Sequence, residues 1–163
     1  MKTIRDLDKP PQIEGVVDAI VVRASPREVA RAVQSTMAIA GIGLQDDRLG
    51  QRGEAELSTR QVTLIQAEHL DVIASLARVA RVDPVGLRRN LVVSGINLLA
   101  LKNARLHVGD ALLEIVGPCQ PCSRMEDTIG PGGYAAMRGH GGMTARVVTT
   151  GAIRVGDLVR AQP

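Results

Sequence analysis

Gly117-Pro118-Cys119-Gln120-Pro121-Cys122 holds both cysteines of the 163-residue chain. Two thiols at this spacing admit several chemistries. A structural zinc site takes four ligands, but His69, His107 and His140 are scattered and no second cysteine pair exists. A redox pair needs its first thiol at a helix N-terminus, where the dipole lowers its pKa. Here Ser123-Arg124-Met125-Glu126-Asp127 gives only a weak helix signal, and no βαβ pattern surrounds it. A third chemistry is one thiolate that ligates a soft metal or carries sulfur, with the other cysteine accessory. The plainest reading is two inert thiols in a turn.

Leu87-Arg88-Arg89-Asn90 opens a strand and leads into Ser94-Gly95-Ile96-Asn97-Leu98. Adjacent guanidinium groups at a strand entrance suit phosphate or another anion, because several charge-assisted bonds form together. Taken alone, the pair is more simply a solvated basic edge that protects the strand from mispairing. Gly130, Gly132 and Ala135 formally fit G-x-G-x-x-A, but no apolar strand precedes them, so the dinucleotide reading fails its context. His140 stands among glycines and reads as exposed, a candidate ligand or proton donor.

Residues 1–12 read as a polar tail, and 13–163 as one domain. Ile13 to Val22 is rich in Val and Ile and reads as a strand. Ser25-Pro26-Arg27-Glu28 combines an N-cap, a first-turn proline and a capping-box glutamate. With Val29, Val33 and Met37 behind it, it predicts a helix ended by Gly41 and Gly43. Leu44 to Thr59 reads as a long loop, Val62 to Ile65 as a short strand, and 67–80 as an amphipathic helix with Leu70, Ile73, Leu76, Ala77 and Ala80 on one face. After Asp83-Pro84 the texture becomes short strands: 91–93, 105–108, 111–116, 145–149 and 157–159. Gly109-Asp110 and Gly156-Asp157 serve as corresponding corners. The pattern predicts a mainly β protein with α additions, a small closed or nearly closed barrel.

Composition narrows the partners. With no Trp, no Phe and one Tyr (Tyr134), the core must be aliphatic, and a surface that stacks nucleic-acid bases has almost nothing to stack with. The formal charge of +3 is too small to imply a polyanion. Of 20 basic residues, only Lys2, Lys9 and Lys102 are lysines, which leaves small anionic ligands open. No apolar run is long enough for a membrane span or a signal peptide, so the expected location is the cytoplasm.

Four ordered segments resemble the MOSC domain: L-R-R-N-L-V-V-S-G-I-N-L, H-V-G-D-A-L-L-E-I-V, C-Q-P-C-S-R-M and G-G-M-T-A-R-V-V-T-T-G-A-I-R-V-G-D-L-V. They cover about residues 85–160. R-Q-V-T-L-I-Q-A-E and G-I-G-L-Q-D-D-R extend the likeness over nearly the whole chain. The resemblance implies a MOSC-like β-barrel that binds molybdenum cofactor, a pterin whose dithiolene holds the metal. It implies that Cys122, in the loop after the V-G-D hairpin, gives the metal a thiolate. Arg88 and Asn90 would hold the pterin and its phosphate, and a strand period of two would place them on one face. Thr63 and the Gln120-Pro121 backbone would also face the cofactor. The implied activity is reduction of N-hydroxylated substrates, with electrons from a separate reductase. The alternative is a non-catalytic carrier of the cofactor, or of sulfur as a persulfide on Cys122; a third reading is a barrel that has lost the cofactor. Stand-alone members often carry a Gly-Asp-x-His where this chain has Gln45-Asp46-Asp47-Arg48-Leu49. There is no room for the sulfurase's pyridoxal-phosphate domain, so that cofactor is not expected. Nucleic acid and membrane are not expected partners either.

Overall fold

The computed structural model describes residues 1, 3–7, 13–48 and 59–162. Its strands are β1 (Glu14–Val22), β2 (Arg31–Val33), β3 (Ser35–Ile39), β4 (Gly43–Leu44), β5 (Val62–Gln66), β6 (Leu91–Ser94), β7 (Arg105–Val108), β8 (Ala111–Pro118), β9 (Met143–Thr149), β10 (Gly151–Arg154) and β11 (Leu158–Ala161). The helices are α1 (Ile4–Leu7), α2 (Ala67–Ala77), α3 (Pro84–Leu87), α4 (Arg124–Ile129) and α5 (Gly133–Met137), with a 3-10 turn at Leu98–Leu101.

Strands pair in the order β11-β7-β8-β9-β5-β6-β1-β2, and β11 also pairs with β1. That last pairing, Glu14 opposite Arg160, closes the sheet into the expected barrel and leaves β2 outside the ring. Side chains alternate across its wall. In β7, Leu106 and Val108 point inward while Arg105 and His107 face out; in β8, Ala111, Leu113 and Ile115 point inward. The interior is aliphatic throughout, as the missing aromatics require.

Among the described strands, only β5 and β6 run parallel. A parallel pair needs a crossover, and α2 and α3 supply it. Their buried side chains, Ile73 and Leu87, pack with Ile65, Val92, Met125 and Met137 in a second apolar cluster outside the barrel. Both Gly-Asp corners come together on β10. Arg154 pairs with Asp110 at 3.3 Å, and its backbone N–H donates to Asp157 at 2.7 Å.

The helix expected from Ser25 is absent. One turn forms there, with the Glu28 amide on the Ser25 carbonyl, and the chain then enters β2 and β3. Val29, meant for the buried face, is 87% exposed. Strand pairing outweighs the local helix signals: Val33 lies opposite Ile20, and Met37 opposite Ala152 in the small sheet β10-β3-β4. In the expected 44–59 loop, residues 49–58 lie outside the described residues; the segment's start is strand β4 and a turn. Strand β10 was not expected at all. Among the described residues, no helix is long and apolar enough to cross a membrane.

Candidate functional site

Asp83 and Pro84 start α3. The Asp83 carboxylate accepts the Val85 amide at 2.9 Å, and proline occupies the first turn. The helix is only four residues long, and Arg88 ends it in the left-handed region at φ 58°. The segment is therefore not extended at Arg88, contrary to expectation. The two arginines still part company. Arg88 is exposed, whereas Arg89 is buried, 7% accessible, with Nε donating to the Gly141 carbonyl at 2.6 Å and Nη1 to the Leu87 carbonyl at 3.1 Å.

Asn90 is buried and joined to Thr63. The Thr63 amide and hydroxyl both donate to Asn90 Oδ1 at 3.0 Å, and the Asn90 amide donates to Thr63 Oγ1 at 3.0 Å. Asn90 Nδ2 donates to the Val21 carbonyl at 3.1 Å. One side chain thus ties together β1, β5 and the entrance to β6.

Arg88, Asn90 and Thr63 line a common cavity of about 140 Å³ with Arg23, Asp47 and Arg48. Sequence reasoning missed Arg23 and Arg48. Arg23 lies just past β1, its amide donating to the Asp47 carboxylate at 3.0 Å and its guanidinium to the Pro26 carbonyl at 3.1 Å. Burial, and then Arg88 and Arg48, lower its pKa; Asp47 opposes them and Arg124 adds a smaller push. The cavity is strongly cationic.

The thiols occupy the turn after β8. Cys119 is half-buried, its amide donating to the Gly142 carbonyl at 2.9 Å, and burial pushes its thiol pKa up. Cys122 is exposed, and its carbonyl accepts the Met125 amide at 3.0 Å as α4 begins. Cys119 and Gln120 line a second cavity, of about 180 Å³. Cys122 and Pro121 line neither cavity, so the structure divides the expected site residues among two cavities and the outer turn. Arg124, two residues beyond Cys122, is the first residue of α4. A cavity of about 330 Å³ beside the small sheet, lined partly by Arg31, Met37 and Arg154, contains none of the expected residues.

His140 is half-buried rather than exposed. Its Nδ1 lies 3.2 Å from the Ala136 carbonyl, and its ring meets that of His69 edge-on, centroids 5.4 Å apart.

The MOSC domain family model matches residues 44–160. The structure is similar to that of YuaD from Bacillus subtilis, with TM-score 0.78 and 20% identity, over 91% of this chain and 95% of that one. It is similar to YiiM from Geobacillus stearothermophilus (TM-score 0.71, 17% identity, 91% of this chain and 75% of that). YiiM from Escherichia coli gives TM-score 0.65 and 18% identity, over 94% of this chain and 71% of that. No curated protein matches the sequence. With its closed barrel and a family match across most of its length, this chain belongs to the MOSC domain family, a family linked to molybdenum cofactor binding.

Proposed function

We propose that the protein binds molybdenum cofactor and reduces N-hydroxylated compounds, with Cys122 as the thiolate ligand. The residues fit the group on two counts. Arginines around the 140 Å³ cavity suit a phosphate, which guanidinium forks bind by paired charge-assisted bonds. Among the described residues, no group of three or more His, Cys, Asp or Glu is placed to hold a metal, so a metal at Cys122 must bring other ligands, as a dithiolene does.

The observation that carries the reading is the convergence of Arg23, Arg48 and Arg88 on one cavity that Asn90 and Thr63 also line. Arg88, Arg23 and Arg48 would hold the cofactor's phosphate, Asn90 and Thr63 would fix the wall beneath it, and the Gln120-Pro121 backbone would border the pterin. When bound, the cofactor supplies two-electron oxygen-atom chemistry at the metal. The net change is R–NH–OH + 2 e⁻ + 2 H⁺ → R–NH₂ + H₂O. The N–O bond breaks, oxygen leaves as water, and both electrons come from a separate reductase.

Exposure of Cys122 favours a second reading, a carrier that hands on cofactor or a persulfide sulfur without turnover. Two measurements on protein made in a cofactor-producing cytoplasm decide between them. Molybdenum near one per chain with turnover of a hydroxylaminopurine under artificial reductant supports the enzyme. Molybdenum without turnover supports the carrier, and absence of molybdenum overturns both cofactor readings.

A further inference from the structure

The cavity of about 330 Å³ beside the small sheet holds none of the residues assigned to the cofactor. Its size falls within the range of roughly 300–1,000 Å³ in which proteins enclose small molecules. The register of β3 and β10 builds its floor. Ser35 lies opposite Arg154 and Met37 opposite Ala152, so these four side chains share one face of the ladder. Ala38 and Ile153 belong to the other face and are buried in the barrel core. Arg31 and Val33, two apart on β2, add a second wall with one cation and one apolar side chain.

Two further backbone attachments fix the charges around this floor. Arg31 is held by the pairing of β2 with β1, where it lies opposite Val22. Asp46 comes from the turn after β4, which Gln45 fastens to β3 through both of its backbone groups. The Gln45 amide donates to the Met37 carbonyl at 2.8 Å, and its carbonyl accepts the Thr36 hydroxyl at 3.3 Å. The third charged side chain of the lining, Arg154, is already paired with Asp110 at 3.3 Å. Among the described residues, Arg31 and Asp46 make no side-chain hydrogen bond or ion pair, with each other or with a neighbour. One cation and one anion thus face the same cavity from separate elements without neutralising each other. A plain anion would gain Arg31 and be repelled by Asp46, and a plain cation would meet the reverse. A molecule that carries both signs satisfies both.

We propose that this cavity binds a free aliphatic α-amino acid. Its carboxylate lies on the Arg31 guanidinium, whose fork matches it, and its ammonium group donates to the Asp46 carboxylate. Its side chain rests on Val33, Met37 and Ala152. Arg31 and Asp46 are exposed, so each charged contact alone adds little and the affinity is millimolar. Selectivity comes from needing both charges and the apolar floor together. The site stands apart from the molybdenum reading, since the two cavities share only Val22.

Met37 provides the readout. Full-length protein containing no molybdenum is labelled at its methionine methyl groups, its Met37 signal is assigned with Met37→Leu, and L-leucine is titrated by NMR. The Met37 signal should move saturably at millimolar leucine. Met125 and Met137, buried in the second apolar cluster, should stay in place and report that each variant is folded. N-acetyl-leucine lacks the ammonium group and leucine methyl ester lacks the carboxylate; each should bind at least threefold more weakly. Arg31→Gln should erase the difference between leucine and its methyl ester. Asp46→Asn, which keeps a residue tolerant of the left-handed φ of 60°, should erase the difference between leucine and N-acetyl-leucine. No saturable movement of the Met37 signal would overturn the assignment. So would equal binding of N-acetyl-leucine by the wild type, which marks a plain anion site, or leucine binding that survives both substitutions unchanged.

Discussion

Asn90 and Thr63 form a reciprocal clamp, each donating to the other's side-chain oxygen at 3.0 Å, where the parallel strands β5 and β6 meet. Asn90 is thus fixed by the protein before any ligand arrives. Asn90→Ala would leave the Thr63 and Val21 backbone groups without their partner, and each such loss costs about 1–3 kcal/mol. Urea unfolding of Asn90→Ala, Thr63→Val and the double variant should give a coupling of about 1 kcal/mol or more. Additive losses would show that the two residues act independently.

Arg88 and Arg89 should separate stability from binding. Arg88→Ala should retain wild-type unfolding behaviour and lose cofactor; Arg88→Gly should do the same with a gain of roughly 0.5–1 kcal/mol, since glycine accepts the left-handed conformation freely. Arg89→Ala, which strips the Gly141 and Leu87 carbonyls of their donors, should cost about 2 kcal/mol or more. Denaturation midpoints and molybdenum content, measured on the same preparations, check both claims. Equal cofactor loss at equal stability contradicts this division.

Cys122→Ser should remove metal coordination and activity, whereas Cys119→Ser should keep the metal and change activity modestly. A serine oxygen is a harder donor with a far higher pKa, and cannot replace a thiolate in a sulfur-rich shell. In the unliganded wild type, Cys122 should be alkylated first. Cys119 should need a higher pH, because its raised pKa leaves less thiolate at any given pH. A Cys119–Cys122 disulfide in the working protein, with both variants equally inactive, points to a redox pair instead.

His69 should make the fold acid-sensitive. Burial and His140 depress its folded pKa, and Glu68 pulls the other way. The unfolded histidine titrates near its ordinary value of about 6.5. Below that pH the unfolded state binds the extra proton first, so stability is full above it and declines as pH falls through the folded pKa. Unfolding free energies from pH 7.5 to 5 should fall in the wild type and fall less in His69→Gln. Parallel curves would remove His69 from the account.

Much of the barrel could be read from sequence because its strands alternate and end at Gly-Asp corners: β7 has the expected limits, 105–108, and β8 begins at the expected residue, Ala111. Ser25–Glu28 misled because capping signals are local, while the pairing of Val33 with Ile20 is not. Strand β10 was missed because four residues opening with glycine give no period of their own. At the site, Arg88 stood out beside Arg89, but Arg23 and Arg48 are single arginines in unremarkable segments, and only folding gathers them. The end of a strong strand at Val22, followed at once by Arg23, was the available signal. His69 and His140 are likewise far apart in the chain and become neighbours through the packing of α2 on α5.

The Glu14–Arg160 seam also dictates an order of events during synthesis. One edge of the start of β1, Glu14–Val16, has no partner until Leu158–Ala161 has left the ribosome, although β1 is among the first strands to emerge. Bringing together strands so distant in sequence carries a large loop-closure cost, and such contacts form late. A nascent chain that stops before Leu158 therefore presents two unpaired edges, the start of β1 and the outer side of β7, both of which β11 covers in the finished protein.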